Sequence, residues 1–292
     1  MRALAVCLSL LAAVALAFGA QFQNDAVVKQ SDKTSENKSR VGIKQILALF
    51  AKPRWLAGMS LLALGAGLQI TAISLAPLIV VQPLGGIALA ITALLNARAT
   101  KTSINRATWF AISLCTFGIG AFVVMASAVA KEEIHLDDSN LAQILLVLVG
   151  IVALFAVLFF TIGKQAKAIS YILGAGILYG FVASLIKAVV QRINQGDFSL
   201  LTLICAVITG LAVLLGGWFV QNAYASGPPD LVIAGLTVID PMVAVTIGII
   251  ILGEVQTADA FTLVAFVVSA LIAIVGVWLL SRVHPELVEN EA

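Results

Sequence analysis

The chain reads as an all-α integral membrane protein of about nine transmembrane helices, set out as two inverted repeats of one span plus three with a linker helix between them. Three observations predict this. Of the 292 residues, 61% are hydrophobic and 11% charged, against about 25% charged in soluble domains; mean hydropathy is +1.08. The apolar residues fall into runs long enough to cross a bilayer as a helix, for which about 20 suffice. The basic residues collect in alternate connections, as they do in cytoplasmic loops.

The first run, residues 3–20, is short and follows Arg2, and Ala17-Phe18-Gly19 offers a poor signal-peptidase site. Residues 21–54 then carry seven basic side chains (Lys29, Lys33, Lys38, Arg40, Lys44, Lys52, Arg54) and three acidic ones (Asp25, Asp32, Glu36). So basic a segment belongs in the cytoplasm, where cleavage would not leave it; a retained span is favoured. Within it Ile43, Leu47 and Phe50 share a helical stripe, as in a short helix lying in the interface.

Spans at about 54–75 and 77–97 follow almost without a break, the second carrying Gln82-Pro83. A short loop with Arg98, Lys101 and Arg106 leads to a fourth span, 107–130, and then to the acidic stretch KEEIHLDDSN. The fifth span, 141–163, ends at Lys164 and Lys167. The sixth, 169–190, holds Gly176 and Gly180 at the GxxxG spacing that lets helices approach closely. Spans at about 199–222, 230–253 and 260–281 complete the count, before an acidic tail.

The division is therefore 1–130 for the first repeat, with its basic segment 21–54; 131–167 for the acidic outer loop and linker helix; 168–283 for the second repeat; and 284–292 for a cytoplasmic tail. With the N-terminus outside and the C-terminus inside, thirteen basic residues fall on the cytoplasmic side. Three (Arg2, Lys131, Arg192) fall outside, and Lys187 lies within the sixth span. That asymmetry places the chain in the cytoplasmic membrane with this orientation.

The eighth span, PPDLVIAGLTVIDPMVAVTIGIIILGE, holds Asp240 and Pro241 near its middle. Pro241 has no amide hydrogen to give the Thr237 carbonyl, so a kink or break is expected there. Thr237 and Asp240, three residues apart, share a face. Irregular backbone at membrane depth survives only inside protein or beside water, and an ionisable residue there is a functional hypothesis by default. A kinked helix with Asp240 protonated or paired for packing is the plainer alternative. The three cysteines, Cys7, Cys115 and Cys205, read as small buried hydrophobes with no pairing pattern. His135 and His284 stand in polar segments. No phosphate loop, His/Cys cluster or nucleophile motif stands in a convincing setting, so neither enzymatic activity nor a cofactor is expected.

A shift of 158 residues lays Val80-Val81-Gln82-Pro83 on Val238-Ile239-Asp240-Pro241, and Leu94-Leu95-Asn96 on Leu252-Gly253-Glu254. A shift of 162 lays Ala26-Val27-Val28 on Ala188-Val189-Val190. The odd linker span makes the two halves inverted, a transporter signature with the site near midplane at their junction. LGAGILYGFVASLIKAVVQ and the later GGWFVQNAYASGPPDLVIAGLTVIDPMVAVTIGIIILGE resemble the second repeat of the drug/metabolite transporter (EamA-like) superfamily. PRWLAGMSLLALGAGLQITAISLAPLIVVQPL is similar to the first repeat of its nine-span actinobacterial permease branch, itself similar to the NIPA magnesium transporters. Where that family's LGE acid would fall in the first repeat, this chain has Asn96.

The resemblance implies a multi-pass transporter of a small solute; no nucleotide-binding motif is present, so the expected drive is an ion gradient or the substrate's own gradient. The alternatives are a magnesium or other divalent-cation transporter and a non-transporting membrane scaffold. Pathway candidates are Asp240, Pro241, Thr237, Gln82, Pro83, Lys187, Gln69, Gln221 and Asn222. For a cation, the oxygen ligands would come from Asp240, Gln82 and Asn222, with the Ile79 and Thr237 carbonyls. Lys187 could equally snorkel to headgroups, the amides could be interhelical glue, and Glu254 could be a solvated helix end. Expected partners are membrane lipid, the substrate and, as an open alternative, a second copy in a homodimer; nothing points to nucleic acid.

Overall fold

A computed structural model describes residues 1–31, 52–99, 105–131, 135–162, 168–226, 229–255 and 259–283. The expected interfacial helix over 41–50, the middle of the acidic loop and the tail lie outside them. The described residues form helices: α1 (Arg2–Ser31), α2 (Pro53–Leu75), α3 (Leu78–Val81), a 3-10 turn (Gln82–Gly85), α4 (Gly86–Ala99), α5 (Arg106–Val129), α6 (Asp138–Ile162), α7 (Ala168–Asn194), α8 (Leu200–Ser226), α9 (Pro229–Ile250) and α10 (Ala260–Val283). Among the described residues seven helices are long and apolar enough to cross a membrane; the third and eighth predicted spans appear as the shorter apolar stretches Leu78–Ile91 and Gly235–Ile250.

Helix starts follow local chemistry. Asn105 Oδ1 accepts from the Thr108 amide at 2.7 Å, and Asp137 Oδ1 from the Ser139 and Asn140 amides at 3.0 and 3.2 Å. Each satisfies amides that a first turn leaves without partners. The Ser139 hydroxyl and then the Asn140 amide hold Asp137 below the usual carboxylate range.

The break falls at Gln82-Pro83 and not at Pro241. α9 runs through Pro241 as one helix, whereas the third span unwinds into a 3-10 turn between α3 and α4. Pro241 withholds one amide and the helix continues. Pro83 stands inside the 3-10 turn Gln82–Gly85, and the chain re-enters the α region at Gly86, φ −62° and ψ −21°.

Contacts between helix ends collect several of them at one pole. Arg2 at the start of α1 donates to the Ser127 and Ala130 carbonyls at the end of α5. The Lys131 amide donates to the Glu254 carbonyl just past α9, and Asn140 Nδ2 at the start of α6 to the Ile251 carbonyl. Arg192 at the end of α7 donates to the Leu136 carbonyl and pairs with Asp138 and Asp197. α1 therefore runs away from this pole, while α7, its counterpart, runs toward it: the halves are inverted. At the opposite end Arg54 lies over the Phe22 ring, 5.5 Å from its centroid.

The repeat also shows in packing. A Cβ at Gly118 would fall 2.5 Å from the Ala273 nitrogen, and one at Gly276 would fall 2.4 Å from the Cys115 nitrogen. The 158-residue shift carries Gly118 onto Gly276 and Cys115 onto Ala273, so α5 and α10 cross at a self-reciprocal contact. α1 is part of the bundle: Ala5, Ser9 and Ala12 are buried against it. Cys115 and Cys205 are buried as expected, but Cys7 is on an exposed face of α1, because the helix is apolar all round and only one side meets protein.

The GxxxG face of α7 packs on α9 beside the carboxylate: a Cβ at Gly176 would lie 2.7 Å from Ile239 Cβ, and one at Gly180 2.6 Å from Val243 Cβ and 2.9 Å from the Asp240 carbonyl oxygen. Gly180→Leu is expected to lower the yield of monodisperse protein several-fold, since overpacking costs about 1–3 kcal/mol. Gly210→Leu, where nothing lies within 4 Å, is expected to match the parent.

Candidate functional site

The two proline-containing segments meet around one cavity of about 480 Å³. Its walls come from both repeats: Ala13 and Leu16 of α1, Gln69 and Ile73 of α2, Gln82, Gly85 and Gly86 at the break, Tyr179, Ala183 and Ile186 of α7, and Thr237, Asp240 and Pro241 of α9. Four side chains named from sequence thus share one space, Gln69, Gln82, Thr237 and Asp240, with Pro241 beside them. Gln82 and Asp240 occupy corresponding positions of the two repeats. The cavity therefore carries a carboxamide on one side of the junction and a carboxylate on the other.

The carboxylate is poorly satisfied. Asp240 is half-buried, and its Oδ1 is shut from solvent with no hydrogen-bond partner. Such an atom costs free energy unless something else meets it. Ser9 Oγ donates to Gln69 Oε1 at 3.1 Å, which leaves the amide NH₂ of Gln69 as its remaining polar group. Tyr179 also lines the wall, and the tip of its ring packs on α8: a Cβ at Gly216 would fall 2.9 Å from the ring and one at Gly217 3.9 Å from the hydroxyl. The other lining residues are apolar, so the polar side chains of the wall are Gln69, Gln82, Tyr179, Thr237 and Asp240.

Other sequence candidates lie elsewhere. Pro83 lines a second, apolar cavity of about 230 Å³ between α4, α5, α9 and α10, which shares Gly86, Thr237 and Pro241 with the first. Gln221 is exposed, and Asn222 Nδ2 donates back to the Trp218 carbonyl at 2.7 Å; neither reaches the polar cavity. α8 is apolar on every side, so no periodicity marks which face turns inward. Lys187 does not snorkel. It is 5% exposed, and its Nζ donates to the Ile73 and Ala76 carbonyls at 2.7 and 2.9 Å.

Glu254 is not a solvated terminus. It is 0% exposed and accepts from the Leu78 and Ile79 amides at 2.8 and 3.1 Å. Gly253, at φ +63°, turns the chain after α9 in the left-handed region that glycine favours. The Glu254 amide closes that turn on the Gly248 carbonyl. Tyr179 and Ser9 also went unmarked in the sequence. Tyr179's signal is its place between Gly176 and Gly180, and Ser9's is its being the one hydroxyl of the first apolar run. Among the described residues no group of three or more His, Cys, Asp or Glu is gathered as a metal cluster.

No family model matches the chain, and no solved structure does. It is 28% identical over 280 residues to an uncharacterized protein of Corynebacterium glutamicum, covering 96% of this chain and 95% of that one. It is 25% identical over 222 residues to the probable magnesium transporter NIPA9 of Arabidopsis thaliana, covering 72% of this chain and 64% of the relative.

Proposed function

We propose that this integral membrane protein is a transporter built on the drug/metabolite plan, whose cargo passes through the cavity between its inverted repeats. The observation that carries the reading is that cavity: about 480 Å³, walled by both repeats at the proline-containing segments and lined by Asp240, whose Oδ1 has no hydrogen-bond partner, together with Gln69, Gln82, Tyr179 and Thr237. Small-molecule sites span roughly 300–1,000 Å³ and combine apolar walls with a few polar groups. A solute bearing one positive charge and hydrogen-bonding groups suits this donor set. With no nucleotide-binding motif, the driving force is an ion gradient or the solute's own, and Asp240 is the group proposed to carry the coupling ion.

A second reading, a divalent cation such as magnesium, is favoured by the likeness to NIPA9. Magnesium dehydrates reluctantly and is usually held by one or two carboxylates with several waters retained, and the cavity has room for those waters. Gln82 and Asp240 would then be its protein contacts; Asn222, whose Nδ2 donates to the Trp218 carbonyl, does not line the cavity. Purified protein in liposomes, loaded with either a cation-sensitive dye or a panel of labelled organic cations, separates the readings. No flux of any kind would leave a scaffold.

The pole holding Arg2, Lys131 and Arg192 is proposed to face outward, on the strength of the thirteen-to-three basic asymmetry. A cysteine at His135 is then expected to react with an impermeant thiol reagent in intact cells, and one at Ser35 to react only after permeabilisation. The reverse pattern would overturn the orientation.

A further inference from the structure

Of the buried charges outside the cavity, Lys187 and Glu254 both act on the turn between α2 and α3. On one side of this turn, Lys187 of α7 gives hydrogen bonds to the last carbonyls of α2. On the other, Glu254 after α9 takes the first amides of α3. The turn belongs to the first repeat and both charged groups to the second. Ile73 ties this arrangement to the cavity, since it lines the wall while its carbonyl binds Lys187. Beyond it toward the Arg2 pole lies a dry layer: Ala76, Leu78 and Ile79 are each exposed by 2% or less.

We infer that the segment Leu75–Ile79 is the gate that closes the cavity at this pole, and that Lys187 and Glu254 are the positioning residues that latch it. This rests on the cavity being the transport site. Each charge meets the partial charge of a helix end, positive on carbonyls and negative on amides, which makes both bonds charge-assisted. No ion pair within 4 Å joins the two side chains among the described residues, although their opposite charges attract each other across the turn. A buried charge costs heavily unless so satisfied. The latch therefore holds only while the turn is seated, and moving the turn exposes both groups to water that can replace its hydrogen bonds. A closed gate that opens without stranding a charge is what alternating access requires at this end.

The test uses the full chain with Cys7, Cys115 and Cys205 changed to Ala and a reporter, Ala183→Cys, in the cavity wall. In sealed vesicles, a reagent on the side that labels His135→Cys is expected to label the reporter slowly in the parent. In Glu254→Gln or Lys187→Met labelling is expected to rise at least about tenfold, the shift that loss of a charge-assisted hydrogen bond produces. Lys187→Arg is expected to restore slow labelling. The exchange K187E with E254K is not, because each side chain would then face a helix end of its own sign. Where Lys187→Met gives no monodisperse protein, hydrogen exchange of residues 75–79 in Glu254→Gln carries the test: it should accelerate there and not in α5 or α10.

Unchanged labelling in both variants, rescue by the exchange, or acceleration spread evenly over all helices would overturn the latch. A parent reporter as fast as His135→Cys would overturn the gate. No flux is measured in these assays, so a chain that moves no solute sinks the proposed function and leaves this result standing.

Discussion

Asp240→Asn is expected to insert and fold as the parent does while losing roughly ten- to hundredfold in flux per folded molecule, the range that a hydrogen bond to a charged group commands. The substitution keeps the shape and removes the charge, and the atom concerned has no protein partner whose loss could unfold the chain. Measured across pH and with magnesium varied separately, the residual flux should have lost its dependence on the coupling ion. Dependence on magnesium but not on pH in the parent would promote the divalent-cation reading; unchanged flux in Asp240→Asn under every condition would remove the residue from the mechanism. Pro241→Ala adds an amide within reach of the Thr237 carbonyl. It should leave stability equal or higher and lower flux by less than Asp240→Asn.

Gly118→Leu and Gly276→Leu are each expected to abolish the folded protein. At both sites the added carbon would meet backbone atoms of the opposing helix at about half an ångström under the closest tolerable approach, and backbone cannot rotate away as a side chain can. A cost on the order of 3 kcal/mol or more for each is expected, at the upper end of overpacking penalties. Gly120→Leu, two residues along α5 with nothing within 4 Å, should leave yield and thermal unfolding near the parent's. Equal yields for Gly118→Leu and Gly120→Leu would mean that α5 and α10 do not cross as described.

The spans and their repeat are legible in the sequence because hydrocarbon leaves the backbone few options and makes every interrupting polar residue conspicuous. Gln82-Pro83 and Asp240-Pro241 stand out for that reason, and they come together at one cavity. Glu254 does not stand out: a carboxylate closing an apolar run looks like any helix end. What buries it is the pair of amides at Leu78 and Ile79, whose positions are some 175 residues away. Lys187 is ambiguous on the same grounds, since only the folded chain shows the α2 carbonyls beside it. Gln221 and Asn222 mislead because α8 offers apolar surface on every side, so polarity alone cannot say which face meets protein. The break is legible as a property of Pro-containing spans but not as to which one yields, since each proline withholds one amide alike.

The pairing of a carboxylate with a carboxamide across the junction has an electrical consequence. With Asp240 ionised, the empty cavity carries one negative charge; a monovalent cation makes the loaded cavity neutral, and a divalent one makes it singly positive. A charge crossing 100 mV changes energy by about 2.3 kcal/mol. For a monovalent cargo the membrane voltage therefore acts on the return of the empty carrier, and for a divalent cargo it acts on both the loaded step and the return. One carboxylate in place of two thus makes the voltage dependence of turnover a measure of the valence of what is carried.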